Sequence, residues 1–280
     1  MAIKKAKKEE TLVVHKLYGG EVTVTLDGRH KYVVHDKGVL VTDVVNVTGI
    51  SGILDKPGLK FWATNLACDH ILEIIKSGGT VTEEAIEVAR RRHTQYTKEA
   101  ADLGTLVHDW AEAYIRSILE GKKPLALPED ERVLNGVLSF LRWKDQTDVE
   151  FVSTERIVYS RKHHYVGKMD AEIRLNKKLI VADWKTSNPR KPKKPTDECR
   201  LCGTVGCGGV YNEYRYQTSL YEGAAIEEAG KNIYEADRMI ARFDKETGEF
   251  ATHVIGEFER DFETSIHLLH AKRRELELEQ

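Results

Sequence analysis

The clearest pattern of apolar and polar positions lies in residues 165–188, which read YVGKMDAEIRLNKKLIVADWKTSN. Apolar side chains alternate there with polar ones, and a period of two predicts strands over residues 166–175 and 178–185. The polar pair at residues 176–177 tolerates a tight turn, so the two strands are predicted to form a hairpin. We expect the rest of the chain to be organised around this hairpin.

The predicted hairpin places charged side chains among apolar ones. Asp183 and Lys185 share the face of Leu179 and Val181 in the second strand. A loop of two residues sets Asp170 of the first strand opposite Asp183. Facing carboxylates repel, which raises the pKa of one of them or favours a cation between them, and oxygen ligands suit Mg²⁺ or Mn²⁺. The alternative is a solvated hairpin edge whose charges are incidental.

The remaining pattern predicts strands at the N-terminus, helices in the middle and a mixture towards the C-terminus. The predicted helices of the middle region cover residues 59–78, 82–101, 104–121 and 129–147. The third of them is predicted to carry an apolar stripe of Leu106, Trp110, Ala113, Tyr114 and Ile118. Later elements are predicted as a strand over residues 151–159, a helix over 211–230, a hairpin over 239–255 and a helix from 258.

This order of elements indicates an α+β fold in which helices pack against a compact sheet to give an αβα core. We expect an N-terminal β meander in residues 1–47 and a main domain in residues 48–280. The main domain is expected to contain a helical region over 48–147 and a cysteine-containing insertion over 189–209. The insertion follows from the segment PRKPKKP, which is too rich in proline for regular structure.

Composition adds limits to this picture. The chain has 280 residues, of which 41% are hydrophobic and 31% charged, and this is typical of a globular protein. It contains no run of eighteen apolar residues, and no apolar segment follows the lysines at its N-terminus, so we expect a cytoplasmic protein without a membrane partner. Its net charge of −2 argues against a general nucleic-acid coat protein.

Four short motifs occur in order along the chain. They are Gly104-Thr105-Leu106-Val107-His108, Gly167-Lys168-Met169-Asp170, Asp183-Trp184-Lys185 and Gln217-Thr218-Ser219-Leu220-Tyr221. In this order they resemble the RecB-like branch of the PD-(D/E)XK nuclease superfamily, which includes phage exonucleases and the mitochondrial genome maintenance exonuclease. The resemblance covers roughly residues 100–225 and rests on the order of the motifs, since no single motif is specific. It implies a restriction-endonuclease-like core with a mixed sheet.

The resemblance implies a role for each matching residue. Asp170 and Asp183 would be the metal-binding carboxylates for Mg²⁺ or Mn²⁺, and His108 and the backbone carbonyl of Trp184 would be further ligands. Lys185 would be the catalytic lysine, which orients or deprotonates the attacking water or offsets phosphate charge. Without the other motifs, a satisfied helix histidine would be the simpler interpretation of His108.

Three more residues are candidates for the catalytic site. Gln217 and Tyr221, one helical turn apart, resemble a pair that supports the active site and contacts the DNA strand. Glu155, on the strand before Asp170, stands where many relatives carry a glutamate and would hold a metal-bound water. A solvated glutamine, a core tyrosine and an exposed strand glutamate are the alternatives.

Basic clusters are candidates for contacts with a nucleic-acid backbone, although a solvated face explains each cluster equally well. The candidate DNA-binding residues are Arg90, Arg91, Arg92, Arg190, Lys191, Lys193 and Lys194. Trp62 and Tyr96 are candidate stacking platforms for single-stranded DNA, although aromatic residues more often lie in a core.

The sequence therefore predicts a divalent-metal-dependent DNA nuclease, an exonuclease of replication, recombination or repair in a phage or a bacterium. Its expected partners are single-stranded DNA or duplex ends, together with recombination or replication proteins. One alternative is a structure-specific or RNA-directed nuclease on the same site. The other is an inactive DNA-binding module descended from a nuclease, against which the presence of Asp170, Asp183 and Lys185 argues.

Three of the four cysteines lie in the segment CRLCGTVGC, where Cys199, Cys202 and Cys207 have a spacing that suits a metal. Zn²⁺ is favoured over an iron–sulfur cluster, because cluster-bearing relatives place three cysteines after the glutamine-tyrosine helix and these three come before it. The fourth ligand would be Cys68, His163 or His164. The alternative is a loop with reduced thiols.

Overall fold

A computed structural model describes residues 13–26, 31–123, 125–186 and 210–279. Its strands are β1 (Val14–Leu17), β2 (Val22–Leu26), β3 (Tyr32–Asp36), β4 (Val39–Val41), β5 (Val45–Asn46), β6 (Val149–Ser160), β7 (Tyr165–Leu175), β8 (Lys178–Thr186), β9 (Arg238–Phe243) and β10 (Phe250–Ile255). Its α-helices are α1 (Val47–Ser51), α2 (Pro57–Lys76), α3 (Glu83–Leu119), α4 (Glu131–Thr147), α5 (Asn212–Ala229) and α6 (Phe258–Leu278).

Two sheets organise these strands. Strands β1 to β4 form a small antiparallel sheet in chain order, and the second sheet has the order β10-β9-β8-β7-β5 with β6 paired to β7. The second sheet is mixed, because β5 runs parallel to β7 and β8 runs parallel to β9, whereas the other pairs are antiparallel. The predicted α+β class with a mixed sheet is confirmed.

Helices cover both faces of the mixed sheet, so the core has αβα layers. On one face, Leu220 of α5 and Leu269 of α6 belong to a buried cluster with Val181 of β8. On the other face, Ala111 of α3 and Phe140 of α4 belong to a second buried cluster, which also contains Ile180, Ala182 and Trp184 of β8. The central strand β8 is thus buried on both sides.

The predicted hairpin is confirmed. Strands β7 and β8 are joined at Asn176 and Lys177, whose φ angles of 51° and 66° are those of a tight turn that follows the twist of the strands. Ala171 pairs with Ala182 in this antiparallel ladder. The next position in the same register sets Asp170 beside Asp183, as the length of the loop predicted.

Helix α3 is longer than predicted. The sequence predicted two helices with a break before Gly104, whereas one helix of 37 residues runs through that position. Gly104 does not end the helix but lets it approach β8, since a Cβ atom there would lie 2.7 Å from Oγ1 of Thr186. The predicted apolar stripe of this helix is right for Trp110 and Tyr114, which pack against the core, and wrong for its other three residues. Leu106, Ala113 and Ile118 are exposed, and the buried residues of the helix from Gly104 onwards are Gly104, Val107, Ala111, Ile115 and Ser117.

The N-terminal sheet packs against the β6–β7 hairpin. Val22, Val24 and Val34 share a buried cluster with Ile157 and Tyr159 of β6. In the described part of the chain, no helix is long and apolar enough to cross a membrane.

The packing around Gly167 of β7 yields the first testable prediction. A Cβ atom at this position would lie 2.7 Å from both Cε1 of Tyr221 and Cγ2 of Val47. We expect Gly167→Ala to lower the free energy of unfolding by about 1–3 kcal/mol, because a packed core must shift to accept the methyl group. Urea unfolding measures the change.

Gly58→Ala is the matched control, because a Cβ atom at Gly58 meets nothing within 4 Å and the residue lies in helix α2. Its unfolding free energy should stay the same or rise by up to about 1 kcal/mol. Equal stability of Gly167→Ala and the wild type would contradict the close approach of α5 to β7.

Candidate active site

Two aspartates lie side by side where β7 and β8 diverge. Asp183 is fully buried, and 13% of the Asp170 side chain is exposed. Oδ2 of Asp170 accepts a hydrogen bond of 2.7 Å from the backbone N–H of Trp184. Burial raises the pKa of Asp170, and it raises the pKa of Asp183 to about 6, with Lys185 opposing the shift and Asp170 adding to it. The pair therefore holds a proton more readily than two solvated carboxylates would.

Lys185 provides the nearest positive charge. Its ammonium group contacts the Asp183 carboxylate and lies 4.9 Å from the centre of the Tyr214 ring. Burial acts to lower the pKa of Lys185, but Asp183 and Asp170 together raise it. Between the two charged residues, the Trp184 side chain is buried among aromatic rings, and this fixes the backbone that binds Asp170.

His108 reaches the aspartates from helix α3. Its Nδ1 atom lies 3.8 Å from Oδ2 of Asp170, and 27% of its side chain is exposed, so the imidazole faces the site rather than bulk solvent. Burial lowers the pKa of His108 to about 4, and Lys185 adds to this effect. The imidazole is therefore neutral near pH 7 and has a nitrogen lone pair for a ligand.

Gln217 and Tyr221 form a pair on helix α5. Nε2 of Gln217 donates a hydrogen bond of 2.8 Å to the Tyr221 hydroxyl group. Tyr221 is buried against Gly167, and burial followed by the charges of Asp183 and Asp170 raises its pKa well above the usual value. The pair thus lies next to the aspartates and links α5 to β7.

Glu155 faces the site from β6 with an unusual backbone. Thr154 pairs with Ala171 and Arg156 pairs with Met169, so Glu155 stands across the ladder from Asp170. Its φ angle is +52°, in the left-handed region that non-glycine residues seldom adopt. Burial, followed by the charge of Asp170, raises the pKa of Glu155 to about 7.

A cavity of about 550 Å³ is lined by some of these groups but not by Asp183, Gln217 or Tyr221, which lie behind its wall. Helix α3 lines one side of it and strands β6, β7 and β8 line the other. Of the sequence candidates, it brings together His108, Glu155, Asp170, Trp184 and Lys185. Lys168 and Tyr214 also line it, and neither is among the site residues predicted from the sequence. Lys168 lies within the motif that carries Asp170, and Tyr214 precedes Gln217 by nearly one helical turn, so proximity to the motifs was the available signal.

The candidate DNA-binding arginines on α3 lie between the N-terminal end of the helix and His108. Arg90 and Arg91 both pair with Glu87, and Arg92 bonds to Glu73. All three arginines therefore have an acidic neighbour. Arg190, Lys191, Lys193 and Lys194 lie outside the described residues.

The aromatic candidates lie on the neighbouring α2–α3 pair. The exposed fractions are 39% for Trp62 and 47% for Tyr96, so neither residue is a core residue.

Most of the cysteines of the predicted metal site lie outside the residues that the structure describes. Cys199, Cys202 and Cys207 lie outside the described residues, and Cys68 is a free, exposed thiol on α2. Of the other suggested ligands, Nδ1 of His164 lies 2.8 Å from Oδ1 of Asp43, and His163 stacks on Tyr165. His164 is therefore already paired with an acid.

The donor groups of the main site suit a divalent cation. Within the described ranges no three histidine, cysteine or acidic side chains converge as a ready-made metal site. Oδ1 of Asp183, however, is buried and has no hydrogen bond from a described residue, whereas Oδ2 contacts the Lys185 ammonium group. A buried carboxylate oxygen needs a hydrogen-bond donor or a cation as its partner. Asp170 and a neutral His108 provide oxygen and nitrogen ligands for a cation next to Asp183. The residues therefore fit Mg²⁺ or Mn²⁺.

Comparisons with known proteins add little to this geometry. No family model and no curated protein matches the chain. Among solved structures, one entitled "Crystal structure of SSO0001" has 13% sequence identity and a TM-score of 0.31, and the match covers 83% of this chain and 76% of that one. A TM-score of this size carries no argument about the fold or the function.

The raised pKa of Asp183 predicts a pH-dependent effect of a divalent cation on stability. In the absence of a cation, the Asp183 contribution to stability is fully present below about pH 4 and is lost as the pH rises through about 6. A bound cation requires the ionised carboxylate, so protons compete with it below about pH 6. We expect Mn²⁺ to raise the melting temperature clearly at about pH 8 and much less at about pH 5.

Thermal unfolding with and without Mn²⁺ at the two pH values measures this difference. Asp183→Asn should abolish the Mn²⁺ effect, whereas Asp145→Asn, which removes an exposed acid on α4, should retain it. A shift of the same size at both pH values, or in Asp183→Asn, would rule out the aspartates as the cation site.

Proposed function

We propose that this protein is a divalent-metal-dependent DNA nuclease, and more specifically an exonuclease of replication, recombination or repair. The observation that carries the proposal is a cavity lined by Asp170, Lys185 and His108, with the buried carboxylate of Asp183 in contact with Lys185 behind its wall. Such a group of acids and a lysine suits phosphodiester hydrolysis, in which negative charge increases on the phosphate. The order of the four sequence motifs supports the same function.

In this proposal Asp170, Asp183, His108 and the carbonyl of Trp184 hold the cation. When bound, the cation would activate water and stabilise the leaving oxygen. The protein itself supplies the remaining charges. The Lys185 ammonium group, which contacts Asp183, would offset negative charge on the reacting phosphate. Glu155, whose pKa is about 7, would accept a proton at its carboxylate near neutral pH.

Removing either charge of the central pair should eliminate cleavage. We expect Asp183→Asn and Lys185→Met each to lower the cleavage rate of end-labelled DNA, with Mg²⁺ or Mn²⁺ present, by about 100-fold or more. Lys178→Met is the matched control, because Lys178 is an exposed lysine beside the β7–β8 turn, and it should cleave at the wild-type rate. Cleavage by Asp183→Asn or Lys185→Met near the wild-type rate would refute the assignment.

The choice of substrate distinguishes the proposed exonuclease from related activities. DNA labelled at the 5′ or 3′ end, single-stranded or duplex, is compared with circular DNA and with RNA of the same sequence. An exonuclease degrades the linear DNA and leaves circular DNA intact. Cleavage of circular DNA would indicate an endonuclease, cleavage of RNA alone an RNA-directed nuclease, and binding without cleavage an inactive module.

A further inference from the structure

Lys168 is a charged residue of the cavity that the chemistry above does not use. It lies on β7, two residues before Asp170, and 41% of its side chain is exposed, compared with 18% for Lys185. Lys185 is held against the buried aspartates, whereas Lys168 lies on the more open wall of the cavity. The two lysines therefore present positive charge at different depths.

An ion pair with Glu155 holds Lys168 in place. The Lys168 ammonium group contacts the Glu155 carboxylate, and only 11% of the Glu155 side chain is exposed. The left-handed backbone at Glu155 aims that carboxylate into the cavity, and such a conformation costs about 1 kcal/mol or more for a non-glycine residue. Strain of this kind persists only where the surrounding structure enforces it, so the position of the pair is built into β6.

The N-terminal sheet borders the same pair. Lys168 pairs across the ladder with Ile157, which lies in the buried cluster beneath this sheet. Tyr32 of β3 packs against that cluster, and its phenol is close enough to Lys168 and Glu155 for both charges to act on it. The pair is thus enclosed on one side by β3 and open towards the cavity on the other.

We propose that Lys168 binds a phosphate of the DNA strand next to the reacting phosphate, at the open side of the cavity. This inference rests on the proposed nuclease function and assigns a further substrate-binding residue to it. An ammonium group has three donors, so a Lys168 that donates to Glu155 retains donors for a second, anionic partner. Glu155 is the positioning residue for Lys168, and the N-terminal sheet forms the wall behind both.

DNA binding without catalysis tests the inference. The affinity of a fluorescein-labelled single-stranded DNA oligonucleotide is measured by fluorescence anisotropy over a range of salt concentrations, with EDTA present. We expect Lys168→Gln to weaken binding about fivefold at low salt and to reduce the slope of log K against log salt by about 0.7, the value for one phosphate contact to a single strand. Lys168→Arg should retain most of the affinity, and Lys178→Gln should bind like the wild type.

A double variant separates a specific contact from an effect of net charge. Lys168→Gln combined with Glu155→Gln leaves the net charge unchanged and removes an ion pair without leaving a buried carboxylate unpaired. We expect the double variant to fold and to bind DNA more weakly than the wild type. Wild-type affinity in the double variant or in Lys168→Gln would overturn the role of Lys168.

The proposed function can fail separately. If the wild type cleaves DNA but Lys168→Gln binds it normally, the nuclease assignment stands and the inference about Lys168 is wrong. If the wild type neither binds nor cleaves DNA, the proposed function is wrong, and the inference falls with it.

Discussion

The burial of the Asp183 carboxylate beside Asp170 is the constraint on which the rest of the site depends. Removing a charged carboxylate from water costs several kcal/mol, and two adjacent carboxylates add repulsion to that cost. The structure offsets part of this cost with the Lys185 ammonium group, which contacts Asp183, and with the hydrogen bond that the Trp184 N–H donates to Asp170. The remaining imbalance appears as a raised pKa on both acids. Evolution seldom retains such a pair for stability, since apolar residues of the same volume would serve a core better.

The helices can surround this pair only because small residues allow close approach. Gly104 lets α3 lie against Thr186 of β8, which brings His108 to Asp170, and Gly167 lets Tyr221 of α5 pack under β7. Both glycines belong to motifs whose functional residue stands three or four positions later. One methyl group at either position would meet a neighbouring atom at 2.7 Å. The motif glycines therefore serve the geometry of the site through packing rather than through chemistry.

The sequence predicted the hairpin and its register well, because both follow from local rules. A period of two fixes which side chains share a face, and a two-residue loop fixes the pairing of Asp170 with Asp183. The extent of α3 could not be predicted in this way. Glycine is a common end signal for a helix. Only the position of Thr186, which is distant in sequence, shows that Gly104 is a contact position instead. Leu106 and Ile118 were predicted to be buried but are exposed, because contacts distant in sequence decide which face of α3 packs against the sheet.

The pairing of Glu155 with Lys168 depends on a feature that no pattern of residue types reveals. Glu155 has the left-handed φ angle of +52° within a strand, and this angle turns its carboxylate towards Lys168 and the cavity. An ordinary extended residue would follow the alternation of the strand. Local strain imposed by tertiary structure is therefore the point at which sequence periodicity stops being informative for this site.

The most direct test of the account is the position of a bound cation. Crystals grown with Mn²⁺ would show the ion by anomalous scattering at the manganese edge. The account predicts an anomalous peak between the carboxylates of Asp170 and Asp183, on the side of the cavity that His108 reaches. A well-ordered site without a peak there, with Lys185 still held against Asp183 in the presence of excess Mn²⁺, would contradict the central claim.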